Sequence, residues 1–515
     1  MASDTSAVHD HPAYSAAGPA IESSPYIPVH DFTTHKFFRD VFYSNLPVPV
    51  QKLRTYLWLV VMTRALGTEG FGAWSLFILA LSNATTIATL NCGSSLMRFL
   101  SGRRTSGELN QAFSTVLTMV GTAASVLILV FFMFSGRLAS ILFHSRHRSI
   151  LIVLLAVALP IDCMFEEMRN LLRARRLNKS WALLSLARLI PEIGGTLIVA
   201  WWLGSVVAVS WTYLAVGACS VVAGLIYLVL RYELSPTRPS GRVAIKYTKF
   251  GLPLLPGVLA SAVSLGADKY LVGYYLGLKQ VGIYCVCFTV SSLTFFLTGP
   301  INDVLFPELS ALHDSGQIEF FQQRFAGIQK FVFGVSVGGA AILAAFPREI
   351  LRVLASSEFA SGSTTLPLLG VQGVFMAVVM LYAVILNVQL RVWSSTMFWI
   401  ASGALILLLD VALIPRIGIE GAAASQLIAT AAGAIALIFI HWGLFRQTFD
   451  LNWLFQTGMA FAAVCVLAMV WQGQPFDMRQ SILKVVTGGS IFLSCLFATG
   501  FIRPNDLRLM KAMVF

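Results

Sequence analysis

The chain has 515 residues, is 57% hydrophobic and only 12% charged, and carries a formal charge of +12, with a mean hydropathy of +0.76. This balance excludes a soluble globular domain and requires a chain dissolved in lipid. Nucleic acid is excluded as the reason for the positive charge, because the basic residues fall in short clusters between apolar runs, where they set topology. Long apolar runs, in place of alternating ten-residue segments, also exclude an outer-membrane barrel. The class is an all-α polytopic membrane protein.

Residues 1–38 are polar and rich in His, Ser, Pro and Asp, with no basic stretch leading into an apolar one. They read as a disordered cytoplasmic tail rather than a signal peptide. His9, His11, His30 and His35 are too irregularly spaced for a metal site. Apolar segments of spanning length follow at about 40–66, 72–92, 112–134, 149–170, 180–203, 206–231, 249–276, 281–303, 327–346, 363–386, 393–414, 420–443, 453–472 and 482–502, about 14 helices in all. With both termini cytoplasmic, about 22 Lys and Arg fall inside against about 9 outside. The strongest clusters are RNLLRARRLNK (169–179) and RYELSPTRPSGRVAIKYTK (231–249).

An internal repeat divides the chain. LGTEGFGAWSLF (66–77) aligns with LGLKQVGIYCVC (276–287), so Leu66, Gly67, Gly72 and Trp74 match Leu276, Gly277, Gly282 and Tyr284. Six helices separate the copies, which makes the halves parallel. The expected organisation is a six-helix bundle at 39–231, a cytoplasmic linker at 232–248, a second six-helix bundle at 249–445, and two extra helices with a tail at 446–515. The glycines of LGTEGFG serve a tight helix-to-helix turn. A phosphate loop is excluded, because no strand precedes it and no G-K-[ST] follows.

Charges inside the apolar runs mark candidate sites. Lys52 and Arg54 stand near the middle of the first helix, where each costs roughly 2.5 to 3.5 kcal/mol to insert. They must therefore face protein or a wet cavity. Asp162 lies on helix 4, Arg188 and Glu192 on helix 5, and Asp268 and Lys269 on helix 7. Arg188 and Glu192 are one turn apart and can pair, a structural role as open to them as a functional one. Asp268 and Lys269 point about 100° apart and should serve different neighbours. Glu166, Glu167 and Asp410 lie nearer helix ends, where a wet structural role is expected. Pro47 and Pro49, then Pro253 and Pro256, interrupt comparable positions of the two halves, as around a transporter's central site. Lys52, Arg54, Arg188 and Lys269 together suggest a net basic cavity for an anionic substrate such as a diphosphate. Asp162, Glu192 and Asp268 are candidates for ion coupling by proton or sodium. The seven cysteines lie in or beside apolar runs and read as core residues, with no spacing for a metal or cofactor site.

TRALGTEGFGAWSL, DKYLVGYYLGLKQVGIYCVCFTVSS (268–292), VLFPELSALHDSG (304–316) and IPRIGIEGAAAS (414–425) occur in order and spacing that resemble the polysaccharide transporters, the Wzx-type lipid-linked oligosaccharide flippases. These belong to the superfamily that includes the multidrug and toxin extruders and the lipid II flippase. The resemblance covers about residues 40 to 445. It implies two six-helix bundles in a V, with two further helices, in a bacterial inner membrane. It also implies alternating access that moves an undecaprenyl-diphosphate-linked glycan to the periplasmic leaflet, driven by an ion gradient, beside a polymerase and chain-length regulator of the same pathway. Lys52, Arg54 and Lys269 occupy places comparable to the family's basic cavity residues, and Asp268 matches the acidic residue before the helix 7 cation. The long N-terminal tail departs from the family's short start and points to a partner or regulation.

Three other classes compete. A polytopic polymerase or ligase would carry a large outer loop, whereas the longest expected here, SGRLASILFHSRHRS (135–149), is about 15 residues, and its His144 and His147 read as wet loop residues. A drug extruder shares the superfamily fold with an acidic cavity. A major-facilitator transporter would need an acidic motif that MRFLSGRRTSG (97–107) lacks, and two fewer helices.

Overall fold

The computed structural model describes residues 46–100, 106–145, 148–389, 392–471 and 477–502, together with Tyr43. The tail at 1–38 with its four histidines, His147 and residues 503–515 lie outside the described residues. Among the described residues, thirteen helices are long and apolar enough to cross a membrane. One of these, Pro47–Ala88, has 42 residues, about 63 Å if straight, twice the hydrocarbon thickness of about 30 Å. Gly67 breaks it with φ 67° and ψ −173°. The chain folds back there, since the rings of Trp58 and Trp74 come within 5.4 Å of each other. Divided at Gly67, the described helices supply the fourteen crossings expected from the sequence.

The crossings are α1 (47–66), α2 (68–88), α3 (Ser106–Met133), α4 (Ser149–Ala174), α5 (Asn178–Leu203), α6 (Val206–Tyr232), α7 (Leu255–Leu276), α8 (Leu278–Ser291), α9 (Ile318–Ala345), α10 (Thr365–Val388), α11 (Val392–Ile417), α12 (Ile419–Ile440), α13 (Asn452–Val470) and α14 (Met478–Ala498). Pro47 sits in the first turn of α1, where a missing N–H costs nothing, so it starts the helix rather than kinking it. Pro253 lies in a short 3-10 turn, Leu252–Leu254, at the entry to α7.

The repeat seen in sequence is a repeat in backbone. Gly277 separates α7 from α8 with φ 84° and ψ 172°, nearly the geometry of Gly67. The two copies then meet. A side chain on Gly72 would strike the Leu278 carbonyl oxygen, and one on Gly282 would strike that of Thr68. Thr68 and Leu278 are themselves repeat partners, so the contact of α2 with α8 is self-complementary, with backbone against backbone as small residues permit in membranes.

Several connections are helical. Ser135–Phe143 replaces most of the expected outer loop with a short helix. The expected linker leads into a helix, Gly241–Gly251, packed on the first half. Ser95 Oγ donates to the Tyr247 carbonyl at 3.0 Å, the Phe99 and Tyr247 rings stack at 5.4 Å, and Asn110 Nδ2 donates to Ser235 Oγ at 2.8 Å. α13 and α14 pack on α9, with Phe492 over Gly338 and Phe501 over Gly334. All seven cysteines are free thiols.

Because backbone atoms form the contact, Gly282→Ala cannot be relieved by a rotamer change. The variant should lose about 1–3 kcal/mol through overpacking, read as a lower unfolding midpoint in detergent, whereas Gly299→Ala, where an added methyl meets nothing, should leave the midpoint near that of the wild type.

Candidate functional site: a charged cavity and a buried carboxylate pair

A cavity of about 540 Å³ opens between α1, α2, α4, α5, α6 and the first turn of α7. Arg54 Nη1 meets Glu192 Oε1 at 2.7 Å, and Arg188 Nε meets Glu192 Oε2 at 3.4 Å. Arg188 Nη2 also pairs with Asp162 Oδ1 and donates to the Tyr213 hydroxyl at 3.0 Å, which in turn donates to Asp162 Oδ2 at 2.8 Å. The Arg54 guanidinium lies 4.6 Å from the Trp58 ring centroid, and Trp58 Nε1 is held by Thr196 Oγ1 at 3.1 Å. Four helices are thus tied by one chain of charge-assisted bonds, in which each cation is desolvated only where a carboxylate or an aromatic face replaces water.

The one-turn pairing of Arg188 and Glu192 expected from their spacing is present. The expectation of a net basic cavity is corrected: Arg54, Arg169 and Arg188 line it together with Asp162, Glu166 and Glu192, and the formal charges cancel. An unpaired guanidinium at this depth would cost several kcal/mol, which is why carboxylates accompany it. Lys52 and Lys269 are not among the lining residues. Lys52 is exposed and lies 5.3 Å from the Phe296 ring centroid.

Lys269 belongs to a second cluster, in the other half. Its Nζ lies 3.1 Å from Asp268 Oδ1, 2.9 Å from the Leu265 carbonyl and 3.7 Å from the Phe288 ring centroid. The two neighbours therefore pair with each other, contrary to expectation, because the flexible lysine stem curls back over the 100° between them. Asp268 Oδ2 accepts from the Tyr284 hydroxyl at 2.5 Å and from Gln426 Nε2 at 3.1 Å.

Two carboxylates expected to be wet are fully buried. Glu167 and Asp410 have no exposed surface, and neither makes a hydrogen bond of acceptable geometry among the described residues. Near Asp410, the Ser425 hydroxyl donates instead to the Gly421 carbonyl at 2.9 Å. Nearness to a helix end does not expose the two carboxylates, because neighbouring helices cover α4 at Glu167 and α11 at Asp410. Tyr213 and Gln426 carried no sequence signal of their own, and Tyr284 stood out only as the repeat partner of Trp74. Pro160 and Pro191, inside α4 and α5, are a sequence signal that could have flagged the stretches beside Asp162 and Glu192. His144, read as a wet loop residue, holds the Tyr274 carbonyl through Nε2 at 3.1 Å.

Solved structures share this fold. A lipid II flippase, MurJ, in an inward closed conformation, matches 91% of this chain and 100% of its own at a TM-score of 0.72 and 14% identity. An inward-facing multidrug resistance MATE transporter of the MOP superfamily matches 79% and 94% at 0.58 and 14%. A MOP superfamily transporter from Pyrococcus furiosus matches 80% and 95% at 0.55 and 14%. No curated protein sequence matches the chain. These likenesses show the fold, an all-helical membrane fold shared with those proteins. The model of the polysaccharide biosynthesis protein family matches residues 37–313, more than half of the chain, and the chain belongs to that family.

Removing Arg188 would take from Asp162 its ion-pair partner and leave the buried Glu192 with Arg54 alone. Arg188→Met should lower stability by about 3–5 kcal/mol, and Arg188→Met combined with Asp162→Asn should recover part of the loss, measured as detergent unfolding midpoints at matched protein levels.

Proposed function

We propose that this chain is a transporter, not an enzyme, that flips an undecaprenyl-diphosphate-linked oligosaccharide repeat unit from the cytoplasmic to the periplasmic leaflet of a bacterial inner membrane, for exopolysaccharide, capsule or O-antigen. The observation that carries this reading is the half-exposed Arg54 at the cavity wall, its side chain 29% accessible while its partner Glu192 is 3% accessible. Arg54 presents a guanidinium to an arriving anion and has a carboxylate to exchange for it. A diphosphate offers that guanidinium two oxygens in the same planar geometry and more charge. Glu192, left with its 3.4 Å contact to Arg188, then takes up a proton to remain buried. Substrate entry and proton uptake would be linked at one residue.

Alternating access is supported by where the cavity lies. The α2 side chains that line it run from Ile78 to Thr86, about 9 to 21 Å along the helix from the Gly72 contact. The Gly72–Gly282 contact lies at the end that charge bias assigns to the outside, and the cavity lies toward the other end. In the second half, Asp410 interacts electrostatically with Asp268 and Lys269, so two carboxylates stand against one lysine, a surplus of negative charge suited to a coupling proton or sodium ion. A polymerase and a chain-length regulator are the expected partners downstream.

In a deletion strain, export of surface polysaccharide should stop and the complete lipid-linked precursor should accumulate on the cytoplasmic side. Wild type should restore export, Arg54→Ala should fail at normal membrane levels, and Asp410→Asn should export more slowly and lose its response to the ion gradient. Export that continues without the gene, with extrusion of organic cations instead, would replace this reading with ion-coupled drug efflux.

A further inference from the structure

α5 divides its surface between two environments. Arg188 and Glu192 face the charged cavity, while Leu183, Ala187 and Pro191 turn outward and, with Ala215, Cys219 and Ala223 of α6, line a separate cavity of about 470 Å³. Small side chains make the trough. Gly224 closes its floor by packing against Met168 and Leu184. From Ala215 to Tyr227 it follows α6 for about 18 Å, close to the depth of one leaflet of a core about 30 Å thick. Its hydroxyl at Ser220 is already spent on the Val216 carbonyl at 2.7 Å. Such a groove, inside membrane-spanning helices, offers water nothing and fits a hydrocarbon chain.

The Tyr227 end is different. The Tyr227 hydroxyl shares Ser180 Oγ with that of Tyr232, at 2.9 and 2.7 Å. The Arg175 guanidinium lies 5.3 Å from the Tyr232 ring centroid. Lys179 precedes Ser180, Arg231 precedes Tyr232, and all three cations are exposed. None of them makes an ion pair among the described residues. Uncompensated positive charge at the mouth of an apolar groove one leaflet deep is complementary to a molecule with an anionic head and a long apolar tail.

We propose that the α5–α6 groove is a binding site for an anionic glycerophospholipid of the bilayer, its phosphate held by Arg175, Lys179 and Arg231 and one acyl chain laid along Ala223, Cys219 and Ala215. Inorganic phosphate satisfies the cations alone, and a zwitterionic lipid satisfies the groove alone. An occupied groove braces α5 on α6, the same pair of helices that the Arg188–Tyr213 hydrogen bond joins on the cavity side. The lipid would thus steady the charged network without entering it. The site is independent of the transported substrate.

The test is native mass spectrometry of the delipidated full chain, titrated with phosphatidylglycerol or phosphatidylcholine in detergent. Wild type should retain phosphatidylglycerol in preference to phosphatidylcholine. Replacing Arg175, Lys179 and Arg231 by Gln should weaken retention about a hundredfold, at roughly fivefold per cation. Ala223→Trp fills the groove from its lipid-facing side with every charge in place and should displace the same lipid, and its unfolding midpoint in detergent should lie near that of wild type. Equal retention of the two lipids by wild type, or unchanged phosphatidylglycerol retention in the folded Ala223→Trp protein, would overturn the proposal. Competition by inorganic phosphate as effective as that by the lipid would overturn it as well, since the tail would then contribute nothing.

Discussion

Two glycines set the geometry from which the rest of this protein follows. Gly72 and Gly282 face each other across α2 and α8, and each meets the other helix at its backbone. In lipid, apolar side chains gain nothing by leaving solvent, so helix association depends on close packing of small residues and on polar bonds. A contact that admits no side chain is therefore a strong positional constraint. It fixes α2 against α8 at one end, and beyond that end α2 lines the charged cavity from Ile78 to Thr86 together with α1, α4, α5 and α6.

The repeat explains a contrast between the two charged clusters. Trp58 and Trp74 in the first half stand 210 residues before Asp268 and Tyr284 in the second. The same pair of backbone positions holds an edge-on aromatic pair at 5.4 Å in one half and a hydroxyl-to-carboxylate bond of 2.5 Å in the other. One scaffold has been fitted with different chemistry twice. In the first half the aromatic pair leaves Trp58 to stack under Arg54 at a cavity wall. In the second the polar pair closes around Asp268, which has no exposed surface.

Each buried charge in the first cluster is matched because the surroundings cannot solvate it. The pairing also limits what a substrate can do there, since an anion must compete with Glu192 for Arg54 and a cation must compete with Arg188 for Asp162. Desolvation penalties and Coulomb attraction nearly cancel for such pairs, which lets a network of this kind be both stable at rest and open to exchange.

The class of fold, the fourteen crossings and the repeat were legible in the sequence because each depends on local properties: the length of an apolar run, and glycines at Gly67 and Gly277 that adopt a backbone few other residues tolerate. The identities of Arg54, Asp162, Arg188, Glu192, Asp268 and Lys269 as charges needing company were legible too, since a charge in an apolar run is costly wherever its partner lies. Which partner each would find was settled in part by spacing, for Arg188 and Glu192, and otherwise by tertiary structure. Arg54 reaches a carboxylate 138 residues away, Lys269 turns back on its neighbour, and Glu167 and Asp410 are buried by helices distant in sequence. Burial and charge pairing are sums over neighbours from every part of the chain, and no local pattern of residues records those sums.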